Sequence, residues 1–223
     1  MIHLAPRPGS SRGLRVLLLG AHSDDIEIGC GGSILSLSRQ HPDCAFDWVV
    51  FSAVGARRDE AQRSANLFIQ PPQLRGPILK EFRDSFMPYA GTEIKSVFEE
   101  LKRNNPPDVV FTHNRHDAHQ DHRLIAELTW NTFRDHLILE YEIPKYDGDL
   151  GQPNVFIPLA KEVCDAKVDF LMRAFDTQRS KRWFDPQTFL GLMRLRGMES
   201  NAPSGYAEAF YCRKAVIGFE VGV

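Results

Sequence analysis

The chain has 223 residues, with 27 lysines and arginines against 29 aspartates and glutamates and a formal net charge of −2. That balance gives no electrostatic reason to expect nucleic acid as a partner, and no apolar run approaches the roughly 20 residues of a membrane helix. With 43% hydrophobic residues and no linker, charge block or internal repeat, residues 1–223 read as one domain.

Met1 to Gly13 is rich in Pro, Arg and Ser and reads as a loose arm rather than a secretion signal. Leu14 to Leu19 is a buried strand and Gly31 to Arg39 a helix. Ala45 to Ser52 is a second strand. Arg57 to Phe68 is a helix, with Ala61, Ala65 and Phe68 at helical spacing. Pro71, Pro72 and Pro77 punctuate the following loop, and Ile78 to Phe82 forms a short third strand. Glu93 to Arg103 is a helix stopped by Asn104-Asn105-Pro106-Pro107. Asp108 to Thr112 is a strand, Ala118 to Phe133 a helix, and Leu137 to Tyr141 another strand. This alternation predicts an α/β fold: a three-layer, Rossmann-like, mostly parallel sheet with helices on both faces and the site at the carboxyl ends of the strands. Ile143 to Pro158 is a long loop suited to binding. Val163 to Phe175 and Pro186 to Arg196 are helices, and Ala207 to Val221 a closing strand or hairpin.

Two stretches carry polar chemistry. Gly20-Ala21-His22-Ser23-Asp24-Asp25 follows the first strand. The other is His113 to His122, where Asp117 and Gln120 form a capping-box-like helix entry and His119 and His122 share a helix face. Taken singly, His22 reads as a buried histidine bonded to backbone. Asp24 and Asp25 alone read as carboxylates favoured by a helix dipole. His113 and His116 read as solvated loop residues. Gly29-Cys30-Gly31-Gly32 does not match G-x-G-x-x-G and reads as close helix–strand packing. Cys30, Cys44, Cys164 and Cys212 lack metal-ligand spacing and fit thiols of a reduced cytoplasm. Jointly, two His/Asp clusters at the carboxyl ends of strands suit one zinc ion, with Asp24 and Asp25 supplying one ligand and one base in either order.

Ala21-His22-Ser23-Asp24-Asp25 with Gly29-Cys30-Gly31-Gly32, followed by His119-Gln120-Asp121-His122, resembles the LmbE-like (PIG-L) family of zinc-dependent de-N-acetylases. Tyr206-Ala207-Glu208-Ala209-Phe210 resembles the family's closing segment. The resemblance implies His22, Asp25 and His122 as zinc ligands and Asp24 as general base. It further implies His119 as electrophile or acid, Asp121 as its orienting partner, and Arg57 as a substrate contact. Ser23 stands where the family commonly has proline, and Ile26 where it usually has Glu. The implied activity is removal of an N-acetyl group from an amino-sugar conjugate carried on a nucleotide, lipid or glycan. The implied partner is thus a small acetamido sugar, and the oligomeric state is left open. Lys145, Arg57 and Arg58 are candidates for a phosphate or carboxylate of that carrier. Two rivals remain: a non-haem iron oxygenase using two histidines and one carboxylate, and a catalytically silent binding protein on the same fold.

Overall fold

The computed structural model describes residues 13–216; the expected N-terminal arm, save Gly13, and the end of the expected closing strand lie outside the described residues. Among the described residues, seven strands form one sheet: β1 (Arg15–His22), β2 (Ala45–Ser52), β3 (Ile78–Leu79), β4 (Val109–His113), β5 (Leu137–Tyr141), β6 (Val155–Pro158) and β7 (Ala207–Tyr211). Six α-helices accompany them: α1 (Asp25–Gln40), α2 (Ala56–Phe68), α3 (Gly91–Asn104), α4 (Gln120–Thr132), α5 (Lys161–Ala174) and α6 (Pro186–Glu199). The strand order is β3-β2-β1-β4-β5-β7-β6. The first five strands run parallel, and β7 is antiparallel to both its neighbours.

The sheet is covered on both faces, as the continuous apolar character of β1 requires. Val16 and Leu18 point into one core, shared with Ile34, Ala61, Phe68, Leu171 and Phe189 of α1, α2, α5 and α6. Leu17 and Leu19 point into the other, against Ile94, Phe98 and Ile125 of α3 and α4. The period of two along one strand thus builds two separate cores.

Several boundaries differ from expectation. β1 runs three residues beyond Leu19, so His22 is its last residue rather than a loop residue. The first helix begins at Asp25 rather than Gly31, but Cys30 breaks it with non-helical angles (φ −142°, ψ 15°). The 143–158 segment is not all loop, because its last four residues pair with β7 as β6. Chain order reverses between β1 and β4, which opens the crevice where such sheets place ligands. His22 and His113 end the two strands that flank it.

Candidate metal centre

Three donor groups from two strand ends converge in that crevice. His22 Nδ1 lies 3.2 Å from His122 Nε2 and 3.5 Å from Asp25 Oδ2, and His122 Nε2 lies 3.5 Å from Asp25 Oδ1. Metal–donor bonds of about 2.0–2.2 Å in a tetrahedron give donor–donor edges of about 3.3–3.6 Å. The three distances are of this size, the two to Asp25 ending on different carboxylate oxygens, so the group suits a small divalent ion. Asp25 is held by the backbone N–H of His22, which donates to Oδ2 at 2.6 Å.

Each histidine is oriented from behind. His122 Nδ1 meets Asp117 Oδ2 at 2.9 Å, which turns the Nε2 lone pair toward Asp25 and His22. His22 Nε2 faces Asp121 Oδ2 at 3.2 Å and Asp84 Oδ1 at 3.1 Å. Burial opposes a charged His22, but Asp121, Asp25 and Asp84 outweigh it and hold its pKa well above the usual value. An incoming ion must therefore displace a proton from this ring.

His113 is the clearest departure from the sequence reading. It is fully buried rather than solvated, and it stacks on His122 with ring centroids 3.9 Å apart. Donor atoms of Asp25, His113 and His122 lie within 4.8 Å of one another, as do those of His22, His119 and His122. Yet the Ala21 N–H donates to His113 Nε2 at 2.9 Å, so the lone pair nearest Asp25 is already used. Burial and the neighbouring His122 push its pKa down to about 4, which keeps it neutral. His116, by contrast, is exposed as expected.

The helix entry also differs. His119, not Asp117, is the N-cap of α4, and its side chain accepts the Asp121 N–H at 3.3 Å through Nδ1. Its Nε2 is then the protonated nitrogen. Burial, with His122 and His22 nearby, lowers the His119 pKa. Asp121 does not orient the His119 ring through its carboxylate, as the resemblance implied. Its oxygens accept the backbone N–H groups of Ser85 and Met87 and face His22 instead.

Arg57 donates to Asp24 Oδ1 at 2.6 Å, and its other terminal nitrogen lies 3.2 Å from Glu60 and 3.3 Å from Thr177 Oγ1. Its guanidinium thus pairs with two buried carboxylates, Asp24 and Glu60, which attract its charge. Lys145 is likewise engaged, by Asp117 and Asp149, and Arg58 pairs with Glu81. Sequence reasoning missed Asp84, the Arg57–Asp24 bond and the Asp117–His122 bond. Five residues along a loop-to-helix junction carry no periodic signal, and the contacts of Asp84 with His22 and of Arg57 with Asp24 join separate elements.

The fold is shared with solved structures. An N,N'-diacetylchitobiose deacetylase from Pyrococcus horikoshii matches at a TM-score of 0.65 and 21% identity over 88% of this chain and 82% of that one. The conserved protein TT1542 from Thermus thermophilus matches at 0.70 and 17%, over 94% and 100%. A 4-carboxy-2-hydroxymuconate hydratase from Pseudomonas putida matches at 0.71 and 17%, over 94% and 100%. Among the described residues, no helix is long and apolar enough to cross a membrane. The PIG-L model, described as GlcNAc-PI de-N-acetylase, matches residues 17–133, just over half of the chain and the whole of the two His/Asp stretches, and the chain belongs to that family.

Proposed function

We propose that the chain is a metal-dependent N-deacetylase acting on an acetamido sugar, with His22, Asp25 and His122 holding one zinc ion. The observation that carries this reading is the convergence of His22, Asp25 and His122, whose donor atoms approach pairwise to 3.2 to 3.5 Å with one or the other Asp25 oxygen, beside a separate buried carboxylate, Asp24. The bound ion supplies a Lewis acid and lowers the pKa of a water toward about 7.

The remaining steps belong to the chain. Arg57 holds one oxygen of Asp24, and the other accepts the proton of the attacking water. His119 Nε2–H donates to the acetamide oxygen as negative charge develops there. The Asp121 N–H on His119 Nδ1 keeps that proton on Nε2. Asp24 then passes its proton to the departing amine. The base beside the three donor groups supports hydrolysis over an oxygenase or a silent binder, since neither needs such a base.

The relative from P. horikoshii is an N,N'-diacetylchitobiose deacetylase, which supports an acetamido sugar as substrate. The same fold also carries a hydratase, so the test must read the bond broken. Zinc-loaded protein is incubated with a panel of N-acetylglucosamine conjugates and nucleotide sugars. Acetate release that stops on chelation and returns with zinc is the expected result. Oxygen consumption without acetate, or no turnover on any member, overturns the reading.

A further inference from the structure

The closing segment Tyr206–Phe210 has no part in the chemistry above, yet one of its side chains is built into the helix that carries Asp24 and Asp25. The break at Cys30 divides α1 into a first turn, Asp25–Gly29, and a longer helix from Gly31 onward. A break inside a helix exposes carbonyls on one side and N–H groups on the other, and buried groups of this kind need partners. Here those partners come from elements distant in sequence.

Glu208 of β7 accepts the Gly32 N–H at 2.8 Å through Oε1 and the Ser33 N–H at 2.7 Å through Oε2. Lys167 of α5 donates to the Ile28 carbonyl at 2.6 Å and to Glu208 Oε1 at 2.6 Å. The Cys30 thiol donates to the Ile26 carbonyl at 3.2 Å. Lys167 is 2% exposed and Glu208 4% exposed, so both charges are withdrawn from bulk solvent. The anion sits at a new helix N-terminus and the cation at the end of the preceding turn, each where the local peptide dipoles favour it. The packing is close at the two glycines beside the break. A Cβ at Gly32 would lie 2.5 Å from Leu159 Cδ1 and 3.0 Å from Glu208 Oε1, and one at Gly29 would lie 2.2 Å from the Tyr141 ring.

We propose that Lys167 and Glu208 are positioning residues for the metal centre: they clamp both sides of the break in α1 and so fix where its first turn presents Asp25 to His22 and His122. This rests on the metal-centre reading given above. A single turn of helix has little rigidity of its own, and Asp25 opens this one. The clamp grips it at Ile28, three residues on, while the Ile28 N–H holds the Asp24 carbonyl at 3.0 Å. Neither Lys167 nor Glu208 touches the three donor groups.

The test is zinc affinity, measured by competition with a chromophoric chelator, alongside thermal unfolding, on the full chain. Glu208→Gln is expected to weaken zinc binding about tenfold or more, as loss of outer-shell support does elsewhere. Phe98→Leu, a substitution in the opposite core, is expected to lower the unfolding temperature with zinc affinity unchanged. Because Glu208→Gln leaves Lys167 buried without its counter-charge, the double variant Lys167→Met/Glu208→Gln is made as well. It is expected to regain stability but not affinity. Wild-type affinity in either folded clamp variant overturns the proposal while leaving the metal centre standing. A wild-type protein that binds no zinc overturns both.

Discussion

Asp117 and His122 are joined at 2.9 Å between Oδ2 and Nδ1, and that bond decides which nitrogen of His122 faces the crevice. The carboxylate's other oxygen accepts the His119 backbone N–H at 2.8 Å, so one residue holds both His119 and His122. Burial raises a carboxyl pKa, but His122, His113 and Lys145 more than offset it and hold Asp117 below the usual range. It is therefore a charged acceptor at neutral pH. Asp117→Ala is expected to weaken zinc binding by roughly 10–100-fold, measured by chelator competition. Unchanged affinity means that the tautomer of His122 is set by something else.

Asp24 is assigned a role in turnover, not in holding the ion. Asp24→Asn should bind zinc in the same stoichiometry while acetate release falls by about 10²–10⁴-fold. Metal analysis and the acetate assay on one preparation separate the two effects. Near-normal turnover assigns the base elsewhere, and lost zinc makes Asp24 a ligand.

The four cysteines should differ sharply in reactivity. All are free; Cys30, Cys44 and Cys164 are buried, and Cys212 is partly exposed. Burial pushes the Cys44 thiol up to about 12 and Cys164 to about 11, and it raises Cys30 well above the usual range. Since the thiolate is the reactive form, iodoacetamide at about pH 8 should modify Cys212 first and leave the other three intact until denaturant is added. Mass spectrometry of the labelled peptides reads this directly.

Glu27 gives a pH signature. It is 1% exposed, and neither oxygen has a hydrogen-bond partner among the described residues. Burial, opposed weakly by nearby Ser64, pushes its carboxyl from 4.5 up to about 8. The folded value exceeds the unfolded one, so the unfolded chain loses this proton first as pH rises. The associated stability is complete below about pH 4.5, declines across the window from 4.5 to 8, and is lost above it. Glu27→Gln stays neutral throughout. With chelator present, its stability relative to the wild type should therefore rise across that window, by at most about 1.4 kcal/mol per pH unit. Urea titrations at several pH values show it; parallel curves contradict it.

The parallel sheet was legible because its strands are short apolar runs separated by amphipathic helices, a pattern that burial on both faces imposes. Strand ends and helix spacing singled out the two His/Asp stretches, and the family resemblance alone chose His22, Asp25 and His122 among their residues as the proposed ligands. What escaped was contact between elements distant in sequence. His113 read as a loop residue because the strand before it runs one residue further than its apolar run suggests. The bond from Arg57 to Asp24, 33 residues earlier, also carries no local signal. β6 was hidden in the 143–158 segment because it forms only by pairing with β7, some fifty residues on.

The most direct test of the account is zinc stoichiometry by elemental analysis on the wild-type chain and on His122→Ala, after dialysis against a weak chelator. The account predicts one ion per chain in the wild type and none in the variant, with both proteins folded. Zinc retained by His122→Ala, or absent from the wild type, contradicts it.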